Sequence, residues 1–466
     1  MSVWQGLINN LPEVAGPTQK RLGFREKLKW TMIILVIFFV LGLMPLFGLG
    51  ENALQQFEFL SIVLGASFGS IISLGIGPLV TSSIVLQLLN GSGLVKFDLT
   101  TSEGKKSFQG TQKLLSIFFI IFEAAIYVFM GGLAPSASLL GQPIYFDLEL
   151  LLVFQLILGG VLIMFMDEVI SKWGFGSGIS LFIAAGVSQQ IFVQAFNPLP
   201  GPTGVAGVTY AAGAIPALFQ ALAGGDPQTV FVKLSIIIAT VTVFLFVVFA
   251  QAMKVEVPLS FGRIRGHGIR WPLSFMYTSN IPVILVAALL ANVQLWGRLL
   301  ENWGRPILGT FSSQGVPLSG VVAWTNSVDI VQNAITGSLT GLDIAHAIGY
   351  LFFFMAGSLM FSIFWVQTAG MDARSQAKQM MASGLQIPGF RRDERVLETV
   401  LNRYIWPLTF MGGLTVGFLG AVADLTGALS RGTGILLAVM IVYKLYEEIA
   451  QQHMMDMSPM LRKFME

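Results

Sequence analysis

Few residues in this 466-residue chain could carry covalent chemistry. There is no cysteine, which excludes disulfides, Cys-ligated zinc, iron–sulfur clusters and thiol nucleophiles. The three histidines, His267, His346 and His453, lie far apart with no H-x-x-x-H pair, so no metal site is expected. No G-x-x-x-x-G-K-[ST] run is present, so no P-loop is expected. Gly65-Ala66-Ser67-Phe68-Gly69 fits the G-x-S-x-G esterase pattern, but no strand precedes it and no histidine partner is evident. One carboxylate, Glu123, falls deep inside an apolar run, whereas Asp167, Glu168, Asp424, Glu447 and Glu448 fall at the ends of such runs. A buried carboxylate can relay protons or bind ions; a hydrogen-bonded structural role is the plainer reading. Neither enzymatic activity nor a cofactor is expected.

The elements that hold these residues are membrane spans. The chain is 54% hydrophobic and 11% charged, with mean hydropathy +0.74. Soluble domains carry about 25% charged residues. The net charge of +2 exerts no global pull on nucleic acid. A span needs about 20 mostly apolar residues, and ten candidates are found: 28–48, 70–89, 112–133, 148–167, 176–196, 230–252, 276–296, 344–368, 404–424 and 432–450. Residues 51–67 are too short and polar to cross and read as a half-helix; 306–324 read as a loop. Of the 27 Lys and Arg residues, all but Lys233, Arg298, Arg305 and Arg431 fall on one side of this arrangement. The positive-inside bias places that side, with both termini, in the cytoplasm. Residues 1–27 lack the apolar core of a cleavable signal. There Val3, Trp4, Leu7, Ile8 and Leu11 recur at helical spacing, as in an amphipathic surface segment. Packing against the rest of the protein is the alternative.

The spans divide into two sets of five, 28–196 and 230–450, joined by a Gly/Pro/Ala-rich linker, 197–229. The second span has Gly77-Pro78-Leu79-Val80 and the seventh Ile281-Pro282-Val283-Ile284; the fifth begins Gly176-Ser177-Gly178-Ile179 and the tenth Gly432-Thr433-Gly434-Ile435. Five is odd, so the second set must run inverted, and such repeats put a pathway at their interface. The second half carries cytoplasmic loops 254–275 and 369–403, and 451–466 form a cytoplasmic tail. Two classes fit: an ion-coupled secondary transporter or a passive channel. A single deep carboxylate is thin support for ion coupling.

Longer motifs carry a resemblance. The run Ile72-Ser73-Leu74-Gly75-Ile76-Gly77-Pro78-Leu79-Val80-Thr81 closely resembles the second helix of the SecY family of protein-translocation channels, and Asp167 to Ile179 resembles the approach to its fifth helix. Ser279 to Ile284, Ala291 to Trp296, Gly389-Phe390-Arg391 and Gly432-Thr433-Gly434 match as well, in the manner of the archaeal and eukaryotic branch. The external loops 197–229 and 297–343 are the main departures. The resemblance implies an all-α membrane protein with ten transmembrane helices in two inverted five-helix halves, a clamshell around an hourglass pore in an archaeal cell membrane. It implies a pore ring of Ile76, Val80, Ile179, Ile183, Ile284 and Leu437. Ile76 and Val80 share one helix face, as do Ile179 and Ile183; ordinary core packing is the alternative. It further implies a plug over 51–67 (Asn52, Leu54, Phe57, Phe59, Ile62, Leu64) and a lateral-gate polar cluster of Thr81, Glu123 and Asn292. Ribosome docking falls to Arg263, Arg265 and Arg391, for which the positive-inside bias alone is the bland account. The implied partners are SecE-like and Sec-beta-like small membrane subunits, the ribosome, signal sequences, nascent polypeptides and the lipid bilayer. The implied function is a channel passing unfolded polypeptide and releasing apolar segments sideways; a related insertase role is a further alternative.

Overall fold

The computed structural model describes the chain except residues 1–9, 20–21, 53–66, 92–93, 96, 98–100, 204–208, 262–267, 279, 313–315, 383–384, 387–392 and 458–466. The first half contains α1 (Phe24–Leu43), β1 (Glu51–Asn52), α2 (Gly77–Gly91), α3 (Ser102–Phe129), β2 (Leu133–Ala134), α4 (Pro143–Trp173) and α5 (Gly178–Phe196). The linker holds β3 (Pro200–Thr203), β4 (Thr209–Ala211) and α6 (Ala214–Gly224). Then follow α7 (Pro227–Ala252), β5 (Lys254–Phe261), β6 (Gly268–Ser274), α8 (Ile281–Asn302), α9 (Gly320–Trp324), α10 (Ile330–Thr336) and α11 (Gly341–Thr368). The chain ends with α12 (Ala373–Ala382), β7 (Leu385–Gln386), α13 (Glu394–Leu425) and α14 (Arg431–Met457).

Among the described residues, seven helices are long and apolar enough to cross a membrane: α3, α4, α5, α7, α8, α11 and α13. The other three expected spans are α1, α2 and α14. At one end α1 carries Arg25, Glu26, Lys27 and Lys29, and α14 carries Lys444, Glu447 and Glu448. With 15 residues, α2 rises only about 22 Å of the ~30 Å needed. Local chemistry sets the starts of several helices. Thr101 Oγ1 accepts Gly104 N at 3.1 Å, Asp226 Oδ1 accepts Thr229 N at 3.3 Å ahead of Pro227, and Thr340 and Asp343 cap each other reciprocally.

The two halves make the same five neighbour pairs. In the first, α1 packs on α4 and α5, α2 on α3, α3 on α4, and α4 on α5; in the second, α7 packs on α13 and α14, α8 on α11, α11 on α13, and α13 on α14. Across the halves α2 meets α8 and α11, and α5 meets α14. This recurrence is what the two faint motif pairs anticipate. The crossings are close. A Cβ on Gly159 of α4 would lie 1.9 Å from the Ile71 carbonyl oxygen, and one on Gly160 would lie 2.8 Å from Ile120.

The structure corrects three expectations. Residues 70–76 of the expected second span form turns, and the helix starts at Gly77. Serine hydroxyls take over the local backbone there: Ser70 Oγ donates to Ser67 O at 2.6 Å, Ser73 Oγ to Ser70 O at 2.5 Å, and Gly69 N to Ser73 Oγ at 2.9 Å. Several helices overrun their apolar cores, such as Pro143–Trp173 for 148–167 and Glu394–Leu425 for 404–424. Hydropathy marks only the part that lipid must cover.

The loops 254–275 and 369–403 are also more ordered than expected. β5 and β6 pair antiparallel from Lys254↔Ser274 to Ser260↔Gly268, and β7 adds to β5 through Ser260↔Gln386 and Phe261↔Leu385. A second apolar cluster underlies this sheet, with Val257, Leu273, Val366, Ala377, Leu397 and Leu401 buried in it. The alternation Lys254-Val255-Glu256-Val257 is the strand signal. The linker likewise carries the β3–β4 pair and α6, which ends at Gly225 with φ 70°.

Replacing Gly159 with Ala is expected to cost about 1–3 kcal/mol through overpacking against backbone, read as a lowered Tm of the detergent-solubilised protein. Gly186→Ala, with open space around its Cβ position, is the control and should leave Tm unchanged or slightly raised.

Candidate pore and lateral gate

Four helices that carry proposed ring residues begin at those residues. Ile76 immediately precedes α2, and Val80 lies in its first turn. Ile179 and Ile183 lie in the first two turns of α5, Ile284 in the first turn of α8, and Leu437 in the second turn of α14. Ile76, Ile183 and Leu437 are 0% exposed, and Val80 and Ile284 3%. All five belong to one apolar cluster, and Ile179, half-buried, packs against it. Five of the side chains expected to form the ring are therefore buried in the main apolar core, which extends over most of the helices, and the sixth packs against it. An apolar constriction of this kind disfavours water and ions.

A helix that starts in such surroundings exposes N–H groups that need partners. Proline is the second residue of α2 (Pro78) and of α8 (Pro282) and removes one donor from each. The other two starts are served by carboxylates from the preceding long helix. Asp167 of α4 accepts Ile179 N at 3.0 Å through Oδ1. Asp424 of α13 accepts Thr433 N at 2.6 Å through Oδ1. Through its other oxygen Asp424 accepts Tyr350 Oη at 2.6 Å and the Thr433 hydroxyl. Glycines allow the approach: a Cβ on Gly178 would lie 2.6 Å from Asp167 Cα, and one on Gly432 2.2 Å from the Ala423 carbonyl carbon. Sequence reading placed both aspartates at span ends and gave them no role. An aspartate followed by a Gly-x-Gly helix start in both halves is the signal that could have found them.

Thr81, Glu123 and Asn292 are brought together from three helices. Asn292 Nδ2 on α8 donates to Thr81 Oγ1 on α2 at 3.2 Å. Thr81 Oγ1 lies 2.9 Å from Gly77 O and 3.1 Å from Glu123 Oε1 on α3, so its one proton is shared between two acceptors. Glu123 and Asn292 are buried. Two further bonds tie α2 to α3: Ser82 and Ser116 hydroxyls meet at 2.7 Å, and Gln112 Nε2 donates to Ser83 Oγ at 2.6 Å. Toward α8, the cluster offers the Asn292–Thr81 bond among the described residues. Nearby, the rings of Phe122 on α3 and Trp296 on α8 lie 5.8 Å apart.

Of the expected plug, Asn52 pairs with Leu133 in the β1–β2 ladder. Leu54, Phe57, Phe59, Ile62 and Leu64 lie outside the described residues, as do Arg263, Arg265 and Arg391. Among the described residues no cluster of His, Asp and Glu suits a metal ion.

Asp424→Ala is expected to destabilise the protein by about 1–3 kcal/mol through loss of its bonds to Tyr350 Oη and Thr433 N. Asp424→Asn, which keeps one acceptor oxygen, should fall between it and the parent in thermal unfolding.

The SecY family profile matches residues 70–446. The protein translocase subunit SecY of Methanothermobacter thermautotrophicus is 47% identical over 467 residues, covering 99% of this chain and 98% of that protein. A solved structure described as a protein-conducting channel superimposes with TM-score 0.81 at 40% identity, covering 97% of this chain and 98% of the other. Sec61 in a canine ribosome–channel complex from the endoplasmic reticulum superimposes with TM-score 0.79 at 38% identity, covering 97% of each chain. This multi-pass, mostly helical membrane chain belongs to the SecY family and is a protein-conducting translocation channel subunit, a transporter and not an enzyme.

Proposed function

We propose that the cluster of Ile76, Val80, Ile179, Ile183, Ile284 and Leu437 is the waist of the channel and that α2 and α8 form a lateral gate beside it. The observation that carries this reading is the burial of these side chains in the apolar core near the starts of four helices that pack across the two halves, α2 on α8 and α5 on α14, with a hydrogen bond between α2 and α8. Apolar side chains give a translocating polypeptide no fixed partner, so one ring can seal against ions and remain indifferent to sequence.

The gate is weakly latched. Hydrogen bonds between helices in membranes contribute about 0.6–1.7 kcal/mol, and a single one joins Asn292 to Thr81. A signal segment gains roughly 0.3–0.6 kcal/mol per Leu-like residue on entering lipid. About 20 such residues outweigh the latch, so substrate hydrophobicity drives sideways release. The segment 51–67 is the plug, held at its start by the β1–β2 pairing.

The basic side, with both termini and the loops 254–275 and 369–403, faces the cytoplasm. There Arg263, Arg265 and Arg391 dock a ribosome through RNA phosphates; the fold neighbour seen in a ribosome complex supports this. Small subunits resembling SecE and Sec-beta clamp the outside. α7 buries only Val247 and Ala250 within the chain, and α1 only Thr31, Ile34 and Phe38, leaving broad apolar faces for partner helices and lipid. An archaeal cell membrane is the proposed location.

Two experiments test the reading. Deleting 52–66 in reconstituted vesicles should make the closed channel leak small ions, and a tight bilayer would sink the plug assignment. Thr81→Ala leaves Asn292 and Glu123 without their shared partner in the closed gate. It should raise export of a substrate with a weakened signal about threefold, the equivalent of ~0.6 kcal/mol; unchanged export argues against the latch.

A further inference from the structure

Residues 12–17 form no regular secondary structure, yet side chains of two helices hold their backbone. Lys113 Nζ on α3 donates to Pro12 O at 2.5 Å. On α4, Lys172 Nζ donates to Val14 O at 2.5 Å, Trp173 Nε1 donates to Ala15 O at 2.9 Å, and Glu168 Oε2 accepts Val14 N at 2.9 Å. Three carbonyls and one N–H of this irregular segment are thus bound by Lys113, Glu168, Lys172 and Trp173. Only one of these contacts reads a side chain: Lys172 also pairs with Glu13 at 2.5 Å, and Glu13 is 67% exposed. Lys113 and Glu168 form an ion pair with each other, so the cleft offers little net field to a free anion and suits neutral dipoles such as peptide groups.

This segment borders a cavity of about 380 Å³. The cavity runs from Leu11 and Glu13 past Gln112 and Ser171 to Leu79 of α2 and Ile179. It is therefore continuous with the proposed gate helix and ring. The substrates of a protein-conducting channel share one chemical feature, an unfolded backbone of peptide N–H and C=O groups. Main-chain hydrogen bonds confer affinity without sequence preference.

We propose that Lys113, Glu168, Lys172 and Trp173 form a docking cleft for extended polypeptide main chain, occupied here by the protein's own residues 12–15 and taken over by an incoming unfolded chain. The proposal rests on the channel reading above. The resident segment is tethered, so its effective concentration is of millimolar order. A foreign chain displaces it only when delivered to the channel mouth at comparable local concentration, as a ribosome or motor would do. The cleft thereby ignores free peptides and accepts a chain already engaged.

The absence of cysteine makes single-cysteine probes clean. In membrane vesicles holding the full-length channel with its partner subunits, Ser171→Cys should crosslink to a stalled secretory chain bearing one cysteine. Adding Glu13→Lys, which repels Lys172 and loosens the resident segment, should raise that yield about threefold. Adding Lys172→Met and Trp173→Phe to the Glu13→Lys variant, in which the resident segment is already loosened, should lower it by a similar factor. Val80→Cys is the reference for the pore. If Val80→Cys crosslinks and Ser171→Cys does not, even beside Glu13→Lys, the cleft is overturned and the channel reading stands. A Ser171→Cys yield indifferent to Lys172→Met and Trp173→Phe overturns it equally. If neither position crosslinks, the pore assignment fails and the cleft with it.

Discussion

A backbone N–H that begins a helix in apolar surroundings has no water to turn to, and every such group must be paired or removed. In this chain α2, α5, α8 and α14 each place side chains of their first two turns in the main apolar core. Each half answers twice. A proline deletes a donor at the start of α2 and α8, and an aspartate from the neighbouring long helix accepts one at the start of α5 and α14. The cluster can be free of charge because its polar obligations are met just behind it. Glycines at 178 and 432, pressed on the backbone of α4 and α13, are the steric half of the same solution. The repeat is thus more than a folding pattern: it supplies one device twice.

Much of this was legible in the residues. The apolar runs marked the seven long apolar helices together with α1, α2 and α14, and Gly77-Pro78 and Ile281-Pro282 marked the starts of two of them. Thr81, Glu123 and Asn292 were expected together and do meet. What was not legible lay where hydropathy is silent. The turns at 70–76 depend on hydroxyls bonding to nearby carbonyls, which a window average does not register. The β5–β6–β7 sheet lies in polar stretches, and its third strand comes from more than 100 residues away. The partners of Asp167 and Asp424 are likewise set by how helices cross. The resemblance named ring residues, but only the folded chain displays why their helices start where they do.

The polar bonds around the gate are unevenly distributed. α2 is held to α3 by Thr81–Glu123, Ser82–Ser116 and Gln112–Ser83. Among the described residues, the Asn292–Thr81 bond joins that cluster to α8. Interhelical bonds in membranes are each modest, so their distribution matters more than their total. Among the described residues, the seam between α2 and α8 carries fewer of these bonds than the seam between α2 and α3.

The pairing of β5 with β7 fastens two distant loops into one sheet over a shared small core. Tyr277 Oη donates to Met371 O at 2.7 Å, binding the foot of that sheet to the end of α11. Joined by one ladder over one small core, the two loops cannot be displaced separately without breaking that pairing or that packing.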